Sequence, residues 1–130
     1  MERVKQVILI RKDLKMRRGK EIAQGSHAAM EFLVSRLRPG LDGGATINVN
    51  LDEVERFWII HGMAKVCLQV SSEQALIDCH QKAILQGLES HLIRDSGRTE
   101  FGGVPTYTAC AIGPDEASRI DQVTGDLSLY

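Results

Sequence analysis

The chain has 130 residues, of which 43% are hydrophobic and 25% are charged, a composition typical of one soluble globular domain. No apolar run reaches the roughly 18 residues of a membrane-spanning helix, and residues 1–14 lack the small-residue cleavage site of a signal peptide. Three cysteines without a C-x-x-C pair argue against a disulfide framework or a zinc ribbon, and they favour a reducing cytoplasm.

The charges are unevenly distributed, although the net charge is only −1. Eight of the sixteen Lys and Arg lie in residues 1–20, together with two acids, Glu2 and Asp13, whereas acids outnumber bases from Leu41 onward. A neutral chain with one basic end can still steer a polyanion onto one face. The alternative is an ordinary solvated surface.

A strand and a long helix are predicted to open the chain. Residues 7–10 form a short apolar run rich in β-branched side chains, which is typical of a buried strand. Apolar residues then recur at helical spacing, which predicts a helix over 19–38 that Pro39 and Gly40 end. The opposite side of this helix carries a polar stripe of Lys20, Gln24, His27 and Glu31.

Capping residues mark two further helices. Asn50 and Glu53 resemble a capping box that opens a short helix, and Ser71 with Gln74 resembles a second one. Pro114 is predicted to end the last strand. The other predicted elements are strands over 64–70, 90–95 and 106–114 and a final helix over 115–123.

The predicted order, β-α-α-β-α-β-β-α, favours an α/β fold in which helices flank a sheet. We expect a single-domain three-layer sandwich over residues 1–130, with a four-stranded mixed sheet. The third and fourth strands are joined by residues 96–105, which is too short for a helical crossover. These two strands are therefore predicted to be antiparallel neighbours.

Two familiar kinds of site are not supported by the spacing of the residues. The Gly-Lys pair at residue 20 is not a phosphate-binding Walker loop, because Leu14 stands at the position of its first glycine and Glu21 at that of its Ser or Thr. The four histidines show no metal-ligand spacing, and each is expected to be structural or exposed. We therefore predict no metal site.

Two segments remain as candidates for chemistry. Asp95 ends the third predicted strand and precedes a glycine turn that contains Arg98 and Thr99, while Lys20 follows the first strand. Sites in α/β proteins tend to form at the carboxyl ends of strands. If the two strands lie close and parallel, Lys20 and Asp95 meet in one crevice. The alternative is a capping aspartate and a surface lysine.

Six segments spread along the chain match the motifs of one known family: IRKDLKM, RRGKEIAQGSHAA, KVCLQV, DSGRTEF, TYTACAIGP and VTGDLSLY. With them the chain resembles, essentially from end to end, the type-II peptidyl-tRNA hydrolases. The resemblance implies hydrolysis of the ester that joins a peptide, or an N-blocked amino acid, to the 3′ end of tRNA. It also implies peptidyl-tRNA as the partner, no cofactor and a cytoplasmic location without membrane contact.

The resemblance also implies roles for particular residues. Lys20, Asp95 and Thr99 are expected to be catalytic, with Gln24 and Thr108 in support. Asp95 would orient or deprotonate water, whereas Lys20 could pair with Asp95, bind phosphate or stabilise the oxyanion, and these three roles stay open. His27 is expected to serve packing. The residues expected to contact tRNA are Lys15, Arg17, Arg18 and Arg98.

Two other functions compete with this interpretation. A non-catalytic tRNA-binding or adaptor module on the same fold would keep the basic face but would tolerate loss of the Asp95–Thr99 unit. An esterase or amidase for small substrates would not need the basic N-terminal third. Both a monomer and a homodimer are compatible with the sequence.

Overall fold

The computed structural model describes residues 3–98 and 100–130 of the chain. Its main elements follow the predicted order, β-α-α-β-α-β-β-α. The strands are β1 (Val4–Arg11), β2 (Lys65–Val70), β3 (Ser90–Asp95) and β4 (Thr106–Glu116). The helices are α1 (Arg18–Leu41), α2 (Glu53–Ile60), α3 (Glu73–Leu85) and α4 (Ala117–Thr124).

The four strands form one mixed sheet in the order β2-β1-β4-β3. β1 is parallel to β2 and antiparallel to β4. β3 is antiparallel to β4, as predicted. Because β1 and β3 both run opposite to β4, they are parallel to each other with β4 between them. Their carboxyl ends therefore lie at the same end of the sheet, and β2 and β3 form its two edges.

Alternating side chains of β1 and β4 build a core on both faces of the sheet. Val7 and Leu9 belong to the cluster beneath α3 and α4, whereas Ile8 and Ile10 belong to the cluster beneath α1. All four are almost fully buried. A strand that is buried on both faces reads as a continuous apolar run, which is why β1 is recognisable in the sequence. The three-layer sandwich is thus confirmed.

Helix α1 extends one turn beyond its predicted end and includes Pro39. A proline in the last turn removes a single N–H, and exposure leaves the unmatched carbonyl accessible to water. The side chain of Ile47 packs closely against Gly40 in this last turn of α1. A Cβ atom at Gly40 would lie only 2.8 Å from Ile47 Cδ1. The prediction that Pro39 and Gly40 end the helix was therefore wrong by about one turn.

The predicted helix caps were wrong by one or two residues. Helix α2 is capped by Asp52, which accepts from the Glu55 N–H at 2.7 Å and donates its own N–H to the Glu55 carboxylate at 2.9 Å. Helix α3 is capped by Ser72, whose Oγ accepts from the Ala75 N–H at 3.0 Å. In both places two nearby residues are of the types that cap helices, so the residue types alone do not decide which one caps.

Pro114 does not end β4, which continues to Glu116. The pairing of β4 with β1 shifts register between Lys5 and Val7, opposite Gly113 and Pro114. A proline is tolerated in a strand at such an irregularity, because no ladder hydrogen bond needs its missing N–H. No helix in the described part of the chain has the length and hydropathy of a membrane span.

Candidate active site

Lys20 and Asp95 form an ion pair where α1 begins and β3 ends. The Lys20 Nζ lies 2.8 Å from Asp95 Oδ1, and the two side chains are only 16% and 10% exposed. Both parallel strands, β1 and β3, direct the following chain to this end of the sheet, and α1 crosses β1, β4 and β3 from there. The fold thereby brings together two residues that are 75 positions apart in the chain.

The turn after β3 holds the second oxygen of the Asp95 carboxylate. The Gly97 N–H donates to Asp95 Oδ2 at 2.8 Å. Gly97 has a φ of +83°, and a Cβ at this position would overlap the backbone carbonyl of Val104. Only glycine combines this backbone conformation with this close approach. The glycine turn noted in the sequence thus orients the carboxylate.

Gln24 and Thr108 connect Asp95 to the interior of the protein. Gln24 Nε2 lies 3.4 Å from Asp95 Oδ1, and the Thr108 hydroxyl donates to Gln24 Oε1 in a short hydrogen bond. Both side chains are buried, at 3% and 0% exposure. Because the amide oxygen of Gln24 is occupied by Thr108, its NH₂ group points at the carboxylate.

A bulge in β4 turns Thr108 toward this site. Ile93 pairs with Ala109 but Arg94 pairs with Tyr107, so Thr108 is an extra residue on β4. With strict alternation, the Thr108 side chain would lie on the same face of the sheet as Cys110, the face that packs against α3. Because of the bulge, it lies on the same face as Ala109, which packs against α1. Nothing in the sequence marks this extra residue.

The surroundings of Asp95 favour its ionised form. The hydrogen bond from the Lys20 ammonium holds the pKa of this carboxyl below its usual value, burial opposes the shift, and the Gly97 N–H adds to it. Asp95 is therefore a carboxylate at neutral pH. A carboxylate with a low pKa accepts a proton weakly and is better suited to orient a water molecule than to remove its proton outright.

A polar cavity of about 330 Å³ opens beside Asp95, between α1 and β3. We call it the β3 groove, and its lining residues are Gln24, His27, Glu31, Arg38, Leu92, Ile93, Arg94, Asp95 and Ser96. His27 is exposed here, so the expectation that it serves packing was wrong. Its spacing of three residues from Gln24 on one helix face is the signal that could have placed it in the groove.

A slightly larger cavity, about 380 Å³, lies on the other side of α1 and has mainly apolar walls that include Ile8, Ile10 and Ile22. It contains none of Lys20, Gln24 and Asp95. We take the β3 groove as the candidate site, because Asp95 and its hydrogen-bond partner Gln24 line that cavity.

The basic N-terminal segment is not one continuous cationic surface. Lys5 pairs with Asp121 at 2.7 Å and Arg11 pairs with Asp13 at 2.6 Å, in addition to the Lys20–Asp95 pair. The expectation that all eight bases form a face for a polyanion was therefore too broad. The other bases near the start of α1 are Lys12, Lys15, Arg17 and Arg18, all exposed.

The four residues predicted to contact tRNA are all exposed: Lys15, Arg17, Arg18 and Arg98. Arg17 is 90% exposed, and its Nε lies 4.0 Å from Glu100 Oε1, the long end of an ion-pair distance. Thr99, the third predicted catalytic residue, lies outside the described residues. Over the described ranges no group of three or more His, Cys, Asp or Glu could hold a metal ion, and a metal-free reaction stays a prediction.

The fold and this cluster define an α/β protein with a lysine–carboxylate pair at the carboxyl ends of β1 and β3. Residues 4–130 match the model of the family described as "Peptidyl-tRNA hydrolase PTH2", and the chain belongs to this family. The resemblance noted in the sequence is thereby confirmed.

Three archaeal relatives, each named "Peptidyl-tRNA hydrolase", align over almost the whole chain. The protein of Methanocaldococcus jannaschii is 40% identical over 97% of this chain and 99% of its own length. The protein of Methanopyrus kandleri is 39% identical over 96% of this chain and 97% of its own length. The protein of Aeropyrum pernix is 37% identical, with coverages of 99% and 98%.

Proposed function

We propose that this protein hydrolyses the ester between a peptidyl or N-blocked aminoacyl group and the 3′ end of tRNA. The observation that carries the proposal is the Lys20–Asp95 ion pair at the mouth of the β3 groove, in a chain that belongs to the PTH2 family. The names of its relatives supply the substrate class. We further propose that residues 1–130 act as one domain in the cytoplasm, where the three free cysteines remain reduced.

In the proposed reaction, Asp95 orients a water molecule toward the ester carbonyl. As the water oxygen bonds to the carbonyl carbon, its proton passes to the carboxylate and negative charge develops on the carbonyl oxygen. The tetrahedral intermediate then releases the ribose oxygen, which takes up the proton. The products are a free carboxyl group and the tRNA 3′ hydroxyl.

Lys20 acts in this scheme through its charge. Its ammonium keeps Asp95 ionised before the reaction. As the carboxylate takes up the proton, the attraction of Lys20 for Asp95 weakens and its positive charge can stabilise the oxyanion. Pairing with Asp95 and stabilising the oxyanion are therefore successive parts of one role, and we assign phosphate binding to other bases.

Gln24 and Thr108 act as positioning residues. The Thr108 hydroxyl and the Gln24 amide form a buried chain that ends at the Asp95 carboxylate. A carboxylate held at three points, by Lys20, Gln24 and Gly97, loses little freedom when the substrate binds. Fixed geometry of this kind accounts for a large part of enzymatic rate enhancement. Thr99 stays a prediction as a further catalytic group.

The exposed bases at the start of α1 are proposed to bind the tRNA phosphates. Lys15, Arg17 and Arg18 lie just before or at the first turn of α1, and Arg98 follows the turn that holds Asp95. Phosphate contacts supply affinity without reading sequence. This arrangement suits an enzyme that must accept every tRNA.

The direct test is release of N-acetyl-amino acid from N-acetyl-aminoacyl-tRNA by the purified protein, with unblocked aminoacyl-tRNA as the control substrate. We expect rapid hydrolysis of the blocked substrate and none beyond background with the control. Binding of tRNA without hydrolysis would support the adaptor function instead. Hydrolysis of small acyl esters at a rate comparable to that of the tRNA ester would support a small-substrate esterase.

A further inference from the structure

Strand β3 leaves half of its backbone groups at the open edge of the sheet. It pairs on one side with β4, and no strand within residues 3–98 and 100–130 pairs with its other side. The Gly113 N–H donates to Glu89 O at 2.8 Å, which makes these two residues a hydrogen-bonded pair. Bonded pairs alternate in an antiparallel ladder, so His91 and Ile93 direct their backbone groups toward β4.

The same alternation directs the backbone groups of Ser90, Leu92 and Arg94 away from β4. Among the described residues, none of the backbone hydrogen bonds made by turns, loops or helix caps involves Ser90, Leu92 or Arg94. A free strand edge of this kind is a template for another extended chain.

The β3 groove follows this edge and ends at the ion pair. Its floor is the segment from Leu92 to Ser96, and its α1 wall runs from Gln24 past His27 to Glu31. At the far end Arg38 binds the Glu31 carboxylate with two hydrogen bonds. The groove therefore begins at Asp95 and continues along β3 toward the start of the strand.

Resting on the proposed function, we propose that the peptide part of peptidyl-tRNA adds to the edge of β3 as an extended strand. The ester lies at Asp95, which is the last residue of β3. The peptide extends from the ester toward its own N-terminus, away from the tRNA. If it follows the groove, it runs in the direction from Ser90 to Asp95, parallel to β3.

Pairing along a strand edge explains how one site can accept many peptides. Main-chain hydrogen bonds supply affinity in this mode and do not depend on side-chain identity. A strand advances about 3.3 Å per residue, and the part of β3 that lines the groove runs from Leu92 to Asp95, so the groove offers room for roughly four peptide residues. Every second peptide residue would bond to Leu92 or Arg94.

The kinetic test compares N-acetyl-aminoacyl-tRNA with peptidyl-tRNAs of two to five residues. We expect kcat/KM to rise with length up to roughly four residues and then level off. N-methylation of a peptide nitrogen that faces β3 should lower kcat/KM by about two- to tenfold, as for loss of one hydrogen bond. The matched control is N-methylation of the next peptide nitrogen, which points away from β3, and it should have little effect on kcat/KM.

The structural test uses the full chain labelled with ¹⁵N and a tetrapeptidyl-adenosine in which an amide replaces the ester. Hydrogen exchange should slow at least about tenfold at the Leu92 and Arg94 amides, which gain partners. Exchange at His91 and Ile93, already paired with β4, is the internal control and should not change. Protection of Leu92 and Arg94 would support the proposal even if hydrolysis were absent.

Three results would overturn the inference. One is equal kcat/KM for all peptide lengths together with equal effects of N-methylation at alternate positions. A second is unchanged exchange at Leu92 and Arg94 with the amide analogue at saturation. A third is protection of the Leu92 and Arg94 amides from exchange in the absence of ligand, if that protection increases with protein concentration. This result would assign the edge of β3 to a second copy of the chain. Failure to hydrolyse N-acetyl-aminoacyl-tRNA would instead contradict the proposed function.

Discussion

The hydroxyl of Thr108, fully buried at a bulge of β4, donates to the amide oxygen of Gln24 and thereby directs the Gln24 NH₂ group at Asp95. The relationship joins a strand in the centre of the sheet to the first turns of α1. It makes the orientation of the carboxylate depend on a residue that does not touch it.

Replacing Thr108 by Val should therefore lower activity as well as stability. The change leaves the buried oxygen of Gln24 without its donor, which costs about 1–3 kcal/mol of unfolding free energy. It also lets the Gln24 amide rotate, so we expect kcat to fall about tenfold or more while KM changes little. Thr108→Ser keeps the hydroxyl and is the control, to be compared by urea unfolding and steady-state kinetics. Normal kcat for Thr108→Val would remove Thr108 from the site.

If Asp95 is the catalytic carboxylate, as we propose, its low pKa should set the acid side of the pH profile. In the proposed reaction the carboxylate is the active form, so activity should persist as pH falls and should be lost only below the usual aspartate pKa of about 3.9. Replacing Lys20 by Met removes the hydrogen bond that lowers the pKa of Asp95. The activity that this variant retains should therefore be lost at a higher pH than in the wild type when kcat is measured toward acid pH. Loss at an unchanged pH would show that another group controls it.

The same ionisation makes a contribution to stability with a definite sign. The pKa of Asp95 is lower in the folded protein than in the unfolded chain. Its contribution is therefore present above the unfolded value, about 3.9, and is lost as pH falls through the folded value. Asp95→Asn should flatten the decline of unfolding free energy in this acid range, as measured by urea unfolding at a series of pH values.

The exposed bases at the start of α1 should determine how tRNA binding responds to salt. Each phosphate contact contributes about 0.7–0.9 to the slope of log K against log salt concentration. Replacing Arg17 and Arg18 together by Ala should reduce the slope by roughly one to two. Lys5→Ala is the control, because Lys5 pairs with Asp121 at the opposite end of β1. Equal slopes for all three proteins would move the tRNA to another face.

We also expect hydrolysis to proceed without a divalent metal. In the proposed mechanism, the Asp95 carboxylate and the Lys20 ammonium, which form an ion pair, supply the water-orienting group and the positive charge that a metal would otherwise provide. Activity should survive dialysis against EDTA in a buffer containing spermidine, which keeps the tRNA folded. Loss of activity with EDTA and its return with zinc, at unchanged tRNA binding, would contradict this.

The order of strands and helices could be predicted because it depends on local patterns. The apolar run of β1 and the polar stripe of α1 are both visible within a few residues. The meeting of Lys20 with Asp95 followed from one further rule, that sites form at the carboxyl ends of strands. These features need no knowledge of the packing.

The other features of the site depend on contacts between distant segments. Whether Lys5 can contact tRNA depends on its ion pair with Asp121, which is 116 positions away in the chain. The direction of Thr108 depends on one extra residue in the pairing of β4 with β3. Neither feature is visible in a local sequence pattern. A prediction from residue spacing therefore cannot distinguish a paired base from an unpaired one, and it places the Thr108 side chain on the wrong face of the sheet.

The central claim is that Lys20 and Asp95 work as one unit, and steady-state kinetics of four proteins test it most directly. Lys20→Ala and Asp95→Asn should each lower kcat about a hundredfold or more, and the double variant should be little slower than either, because residues that act together are not additive. Asp95→Asn keeps the shape of the side chain, so it should stay folded and bind tRNA normally. A folded Asp95→Asn protein with near-normal kcat, or losses that simply multiply in the double variant, would contradict the account.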